Sequence, residues 1–369
     1  MRVLHVFKTY IPDSFTGIER VIWQIAEGCA DLGITSEVLS LSQQPQANSH
    51  TVGRHFAAKS RLLVNFASTG FSLDFIGTLR KKSREADIVH YHFPWPMMDL
   101  GHLLAHANRP TIVTYHSDII RQKRLETVYA PLRSAFLDRV DHIVATSPNY
   151  LASSPVLQRY RDKTSVIPIG LDPSAAVLPS QDRLAKWIKR LGTERFFLFV
   201  GALRYYKGLG FLLDAARSTG LPLVIVGDGE MDEEIASAQL SNIITVGAVD
   251  DADKAALLHL STAFVFPSHL RSEAFGVALL EAAFAGKAMI SCELETGTSY
   301  VNLDRQTGIV IPPADETALA DAMKTLWDDP ALCASYGAAA KLRAQTVFSA
   351  KAMTAAYVQR YEQIIRSRT

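Results

Sequence analysis

Two rounds of one alternation govern what this chain can become. Apolar runs of strand length, at residues 3–7, 37–42, 87–92, 111–115, 142–146 and 165–167, are separated by amphipathic runs. In one of these, residues 18–32, Val21, Ile25 and Cys29 share a helical stripe. Strands spaced by helical segments form a parallel sheet covered on both faces. A break follows at Ile169-Gly170-Leu171-Asp172-Pro173, with a loose Ser, Ala and Pro stretch to Gln181 that reads as a linker. The alternation then restarts at residues 196–200, 223–226, 243–246, 263–266, 288–291 and 309–311, and three helical segments close the chain after Pro313. The expected organisation is an α/β domain over residues 1–170, a second over 171–349, and a final helix within 350–369. Residues 46–85 fit neither pattern: Arg61-Leu-Leu-Val-Asn-Phe and Phe71-Ser-Leu-Asp-Phe-Ile read as a strand and a helix, or as a basic amphipathic surface element.

A length of 369 residues suits two domains, each able to bury its own core. With 48% hydrophobic and 20% charged residues the composition is that of a globular protein, and no run of 18 apolar residues could cross a bilayer. The start, MRVLHVFKTY, reads as a first strand rather than a secretory leader, so a cytoplasmic location is expected. Cys29, Cys292 and Cys333 are odd in number, far apart and in apolar settings, which predicts reduced core residues. No metal-ligand spacing stands out, and no metal is expected. The net charge of +1 conceals an asymmetry. Residues 1–170 carry 19 Lys and Arg against 14 Asp and Glu, and residues 171–369 carry 19 against 23. The basic groups Arg80, Lys81, Lys82, Arg84 and Arg121, Lys123, Arg124 make an anionic surface a candidate partner for the first domain, against the alternative of solvated helix faces. No nucleic acid partner is expected.

Four motifs follow predicted strands, where open α/β sheets bind ligands. In Pro267-Ser-His-Leu-Arg-Ser-Glu-Ala-Phe-Gly-Val-Ala-Leu-Leu-Glu, Glu273 lies in a loop and Glu281 in a helix, and Phe275, Gly276 and Val277 form the helix start, with N–H groups suited to an anion. Were the stretch helical throughout, the glutamates would stand about 12 Å apart and touch different parts of one elongated ligand. In Val200-Gly-Ala-Leu-Arg-Tyr-Tyr-Lys-Gly, Arg204 and Lys207 could neutralise a diphosphate, or could be surface cations. In Thr114-Tyr-His-Ser-Asp-Ile, His116 and Asp118 sit just beyond a strand, and a buried structural histidine is the alternative. His90 and His92 are similarly placed and read as floor or structural residues. In Ser14-Phe-Thr-Gly-Ile-Glu-Arg, Gly17 opens a helix and allows an anion close approach, although a lone glycine is weak evidence. Gly227 and Gly229 can be turn residues. The absence of G-x-G-x-x-G argues against a dinucleotide.

The Glu-x7-Glu pattern with Phe-Gly after its first glutamate, together with KTYIPDSFTGIERVI, TYHSDI and VGALRYYKG, resembles glycosyltransferase family 4, whose members are retaining and have the two-lobed GT-B fold. The resemblance spans nearly the whole chain. It implies two facing Rossmann-like domains, an N-terminal acceptor side and a C-terminal nucleotide-sugar side, with the last helix crossing back to pack on the first domain. It further implies that Glu281 holds the nucleotide's ribose, Glu273 contacts the hexose, Arg204 and Lys207 bind the pyrophosphate, and His116 lies beside the transferred sugar. The donor is a nucleoside diphosphate sugar, with no cofactor and no metal required. The family usually has two adjacent glycines where this chain has Thr16-Gly17. FKTYIPDS, YHSDIIRQK and TSPNYLASSP carry a narrower likeness to bacterial mannosyl- and rhamnosyltransferases of O-antigen and surface-polysaccharide synthesis, which use GDP-sugars and lipid-linked glycan acceptors. Such a role implies peripheral contact of the basic first domain with the inner face of the plasma membrane. A nucleotide-sugar epimerase of the same fold and a non-catalytic binding subunit are the alternatives.

Overall fold

The computed structural model describes residues 1–66, 69–105, 108–119, 123–172 and 178–368. Arg121, the side chains of Lys123 and Arg124, and Pro173 in the expected linker lie outside the described residues. The chain forms two compact units, one of residues 1–170 with 350–369 and one of residues 171–349.

The first unit is built on an eight-stranded sheet. Its strands are β1 (Arg2–Val6), β2 (Thr35–Ser42), β3 (His50–Val52), β4 (His55–Arg61), β7 (Ile88–Phe93), β8 (Thr111–Tyr115), β9 (His142–Ala145) and β10 (Thr164–Val166); a separate hairpin is made by β5 (Val64–Phe66) and β6 (Thr69–Phe71). The order is β10-β9-β8-β7-β1-β2-β4-β3, parallel except for the edge pair β3 and β4. The chain leaves β1 on one side and returns to β7 on the other, so the order reverses between β1 and β7, where such sheets open a crevice at their carboxyl ends.

Two of these strands correct the expectation of six. β4 reads HFAAKSR, which no apolar criterion selects, yet His55 and Lys59 are buried in it. Their polar atoms are satisfied from elsewhere in the chain: His55 Nδ1 meets Glu27 Oε1 at 2.7 Å and Lys59 Nζ meets Asp13 Oδ2 at 3.0 Å. A strand that buries charge with its partners in place looks like a loop in sequence. The stretch 61–76 likewise divides into the end of β4, the hairpin and the start of the helix Phe75–Glu85.

The helix Gly17–Asp31 buries Val21, Ile22, Ile25, Ala26 and Cys29, the predicted stripe widened to a core-facing surface. Arg80, Lys81, Lys82 and Arg84 ride on Phe75–Glu85. Lys82 pairs with Glu37 at 2.7 Å, and Arg80 donates to the carbonyls of Leu104 and Ala105. The final helix, Ala350–Arg368, belongs to this unit and buries Met353, Tyr357, Tyr361 and Ile364. It also adds Lys351, Arg360, Arg366 and Arg368 against one acid, Glu362, raising the unit's formal charge to about +8.

The second unit has a six-stranded, wholly parallel sheet of β11 (Phe197–Val200), β12 (Leu223–Val226), β13 (Ile243–Gly247), β14 (Ala263–Phe266), β15 (Ala288–Cys292) and β16 (Gly308–Ile311), in the order β13-β12-β11-β14-β15-β16. Phe197, Phe199, Ile225, Val265 and Ile290 pack with Leu212, Leu213, Met323 and Leu326 into one core. The strand order reverses between β11 and β14. All three cysteines are free and buried, and burial pushes the Cys29 and Cys292 thiols up to about 12. Among the described residues no helix is long and apolar enough to cross a membrane.

Candidate active site

In the second unit the predicted residues gather at the reversal point. β11 ends at Val200, Gly201 follows, and Arg204 leads into a short 3-10 turn, Tyr205–Lys207. Gly208 follows with φ +72°, and a Cβ there would lie 2.0 Å from the Pro267 carbonyl oxygen. Only glycine lets the loop after β11 approach the loop after β14 so closely. That approach brings Lys207 Nζ to 2.5 Å from Glu273 Oε2, with both side chains almost covered, 11% and 12% exposed. The ammonium also stands 4.7 Å from the centre of the Phe266 ring. Arg204 is exposed and pairs with no described carboxylate.

Gly276, at φ +85°, is the N-cap of the helix Val277–Phe284 and offers no side-chain cap. The span between the two glutamates is therefore a loop, a left-handed glycine and one helical turn rather than a continuous helix. Phe275 is buried, edge-on to Phe348 at 6.1 Å, and anchors the loop behind the helix start. Glu281 Oε1 meets Lys254 Nζ at 2.6 Å, and Lys254 reaches Asp251 at 3.0 Å. Lys254 was not among the residues singled out from the sequence; within DADKAALL it reads as one more charge on a solvated helix face. Gly227 and Gly229 serve packing: a Cβ would meet the Gly201 oxygen at 1.9 Å and the Leu203 oxygen at 2.4 Å, respectively.

In the first unit Gly17 is the first residue of its helix, and a Cβ there would meet nothing within 4 Å. Neither strain nor crowding requires glycine, so the fold itself does not explain the residue. Thr16 Oγ1 donates to Glu19 Oε2 at 2.9 Å, and Thr9 Oγ1 to Glu19 Oε1 at 2.5 Å, which ties the loop to the helix it precedes.

His116 follows β8 and is 5% exposed. Its Nε2 lies 3.1 Å from His92 Nδ1, and His92 Nε2 lies 3.2 Å from His5 Nδ1. His90 stacks on His92 with ring centres 4.2 Å apart and bonds Tyr361 and Thr114 through its two nitrogens, at 2.7 Å each. Burial, reinforced by neighbouring imidazoles, holds His90 and His92 well below their ordinary value. Burial likewise brings His5 and His116 down to about 3. All four are neutral at physiological pH. Nitrogens of His5, His90 and His92 come within 4.8 Å of one another, a grouping that the distance of His5 from the other two along the chain did not reveal. Asp118 takes hydrogen bonds from Tyr115 and Ser154, both at 2.9 Å, so His116 is held by His92 and not by Asp118.

Two family models match in tandem: Glycosyltransferase Family 4 over residues 15–175 and Glycosyl transferases group 1 over residues 181–343. The chain is 51% identical to the D-rhamnosyltransferase WbpZ of Pseudomonas aeruginosa, over 95% of this chain and 93% of that one. It is 47% identical to the O-antigen chain mannosyltransferase C of Escherichia coli over the full length of both. The chain belongs to this glycosyltransferase family. A sucrose-phosphate synthase from Thermosynechococcus elongatus superposes with a TM-score of 0.81 at 20% identity, over 99% of each chain, and shares the GT-B fold. In this glycosyltransferase, then, the two reversal points carry unlike chemistry: charged pairs in one unit and a file of neutral imidazoles in the other.

Proposed function

We propose that this glycosyltransferase moves mannose or rhamnose from a GDP-sugar to a hydroxyl of a lipid-linked glycan, with retention at the anomeric carbon, in synthesis of an O-antigen type polysaccharide. The observation that carries the reading is the reversal point of the second sheet. Arg204, Lys207 and the uncapped helix start at Gly276 present positive charge and N–H donors where a diphosphate would sit. Glu273, paired with Lys207, is assigned to the hexose, and Glu281, paired with Lys254, to the ribose hydroxyls; the two ion pairs support the assignment by fixing both carboxylates. His116 of the first unit is assigned to the transferred hexose.

In the reaction the bond from the anomeric carbon to the β-phosphate oxygen breaks and its electron pair stays on the diphosphate. The acceptor oxygen bonds to the same face of that carbon, and its proton passes to the leaving diphosphate. Arg204, Lys207 and the helix N–H groups stabilise the charge that accumulates, a role they can fill without a metal ion. The sugar assignment leans on relatives named for rhamnosyl and mannosyl transfer.

Membrane contact is part of the proposal and is supported by the β5–β6 hairpin. Leu63, Val64, Phe66, Phe71 and Leu73 are exposed there, Phe66 to 65% and Leu73 to 88%, in a unit that also exposes Arg61, Lys81 and Arg84. The test is a nucleotide panel followed by a transfer assay. GDP and GDP-mannose or GDP-rhamnose should raise the melting temperature selectively, since a ligand at 100 times its Kd adds about 2.7 kcal/mol. Radiolabel should then pass to a polyprenyl-linked glycan. Preference for UDP would overturn the donor, conversion of the sugar without acceptor would indicate an epimerase, and silence toward all nucleotides would overturn the reading.

A further inference from the structure

The file His116, His92, His5 is hydrogen-bonded end to end, and its inner end is closed: His5 Nε2 is fully buried with no partner among the described residues. At the outer end no described residue bonds His116 Nδ1. A neutral imidazole carries one N–H, and each of the two bonds in the file needs one. Two proton arrangements satisfy this. In one, His116 Nε2–H donates to His92 Nδ1 and His92 Nε2–H donates to His5 Nδ1, which forces the proton of His5 onto the enclosed Nε2 and leaves a buried N–H with no acceptor. In the other, His5 Nδ1–H donates to His92 Nε2 and His92 Nδ1–H donates to His116 Nε2. The enclosed atom is then only a lone pair, and the proton of His116 sits on Nδ1. An orphaned buried N–H is the rarer and costlier defect. Stacking of His90 against His92, with His90 itself fixed by Tyr361 and Thr114, prevents the middle ring from turning to escape the choice.

We infer that His5 and His92 are positioning residues that lock His116 in the Nδ1–H form, so that His116 offers a hydrogen-bond donor, and not a base, to an oxygen of the bound sugar or its phosphate. The inference rests on the proposed place of His116 beside the donor sugar, but the proton arrangement does not depend on it. Burial of all four rings supports the arrangement by keeping each neutral, with a single proton to allot.

The full-length protein labelled with 15N-histidine tests both parts. Long-range 1H–15N correlation spectra, assigned by loss of signals in His5→Phe and His116→Asn, should show His5, His92 and His116 in the Nδ1–H form. An Nε2–H or mixed signal for His116 overturns the inference, whatever the activity. Kinetics supply the second arm. His92→Leu removes the acceptor and donor that set the proton and should lower kcat about tenfold with donor KM little changed, while His92→Asn, whose amide both donates and accepts, should restore most of it. Equal kcat in His92→Leu and the unaltered protein would overturn the positioning role even if the spectra agree. A protein with the expected spectra that transfers no sugar would sink the functional reading and leave the proton arrangement standing.

Discussion

At the reversal point of the first sheet the converging histidines are uncharged, while at that of the second two ion pairs stand with the exposed Arg204. His5, His90, His92 and His116 lie on β1, β7 and the segment after β8; as neutral rings, His5, His92 and His116 bond in file while His90 bonds Tyr361 and Thr114. Lys207 with Glu273 and Lys254 with Glu281 form ion pairs whose side chains are only 11–17% exposed. The difference follows from what each edge can draw on. The loops after β11 and β14 come close enough for opposite charges to meet, which offsets their desolvation. These four histidines have only other imidazoles and hydroxyls for partners, so neutrality is the cheaper state. On the proposed assignment, one edge meets the diphosphate of the donor and the other fixes the direction of a hydrogen bond.

Acid should separate the two units most strongly. His5 and His116 are held to about 3, His102 and His142 to about 4, and His90 and His92 well below their ordinary value, each mainly by burial. The unfolded chain protonates them near 6.5. Between that value and the folded one the unfolded state holds more protons, so stability is full above pH 6.5 and falls as pH falls, by up to about 1.4 kcal/mol per pH unit for each ring. In the second unit burial pushes the Cys292 thiol up to about 12, lowers His259 and His269, both less buried than His5, His90, His92 and His116, and lowers Lys287 to about 8. The stability change from Lys287 runs between about 10.5 and 8 and is finished before acid is reached. Hydrogen exchange followed by mass spectrometry at pH 4.5 should show the first unit opening before the second. Simultaneous loss of protection would break the comparison.

Next in size is the anion grip. Arg204→Ala should cut kcat/KM by about 10²–10³-fold, the loss usual for a group that stabilises developing charge. Because Arg204 is exposed, the melting temperature should hardly move. Glu273→Gln should cost comparable activity and also stability, up to about 3 kcal/mol, because it strands the Lys207 ammonium in a nearly closed slot. Equal melting temperatures for the two variants would mean that the pair is solvated in practice. Glu281→Ala should raise donor KM roughly tenfold to a hundredfold, and Lys254→Met about tenfold, with the double variant close to Glu281→Ala alone. Full additivity would show that Lys254 binds the donor on its own account instead of orienting Glu281.

What the sequence disclosed and what it hid divide along the same physical line. Apolar runs are visible: residues 111–115 and 263–266 coincide with β8 and β14. β4 was hidden because His55 and Lys59 are satisfied by Glu27 and Asp13, 28 and 46 positions away. Arg204, Lys207, Glu273 and Glu281 were each legible as motif residues. The contact of Lys207 with Glu273 was not, since it depends on β11 lying beside β14 and on the Gly208 approach to Pro267. The histidine file needs β1 paired to β7 with His5 opposite His90, a register that no local pattern specifies. Lys254 had no signal at all beyond its charge.

The smallest expected effect concerns the loop after β1, where the neutral and charged edges resemble each other most. Glu19 is a buried carboxylate, 4% exposed, held by two hydroxyls, Thr9 and Thr16. Thr16→Gly would install the adjacent glycines usual in the family and remove one of those hydroxyls. Thr9 still serves the other oxygen, so the stability cost should be about 1 kcal/mol, read by chemical denaturation. Gly17 already has open space on its Cβ side, so the backbone is accessible without the change, and donor KM should move less than about threefold. A tenfold fall in donor KM would mean that Thr16, through Glu19, holds the loop away from the diphosphate. The first unit would then restrain an anion contact by a buried charge of its own, and the contrast between a neutral edge and a charged one would have to be drawn around Glu19 instead of between the two sheets.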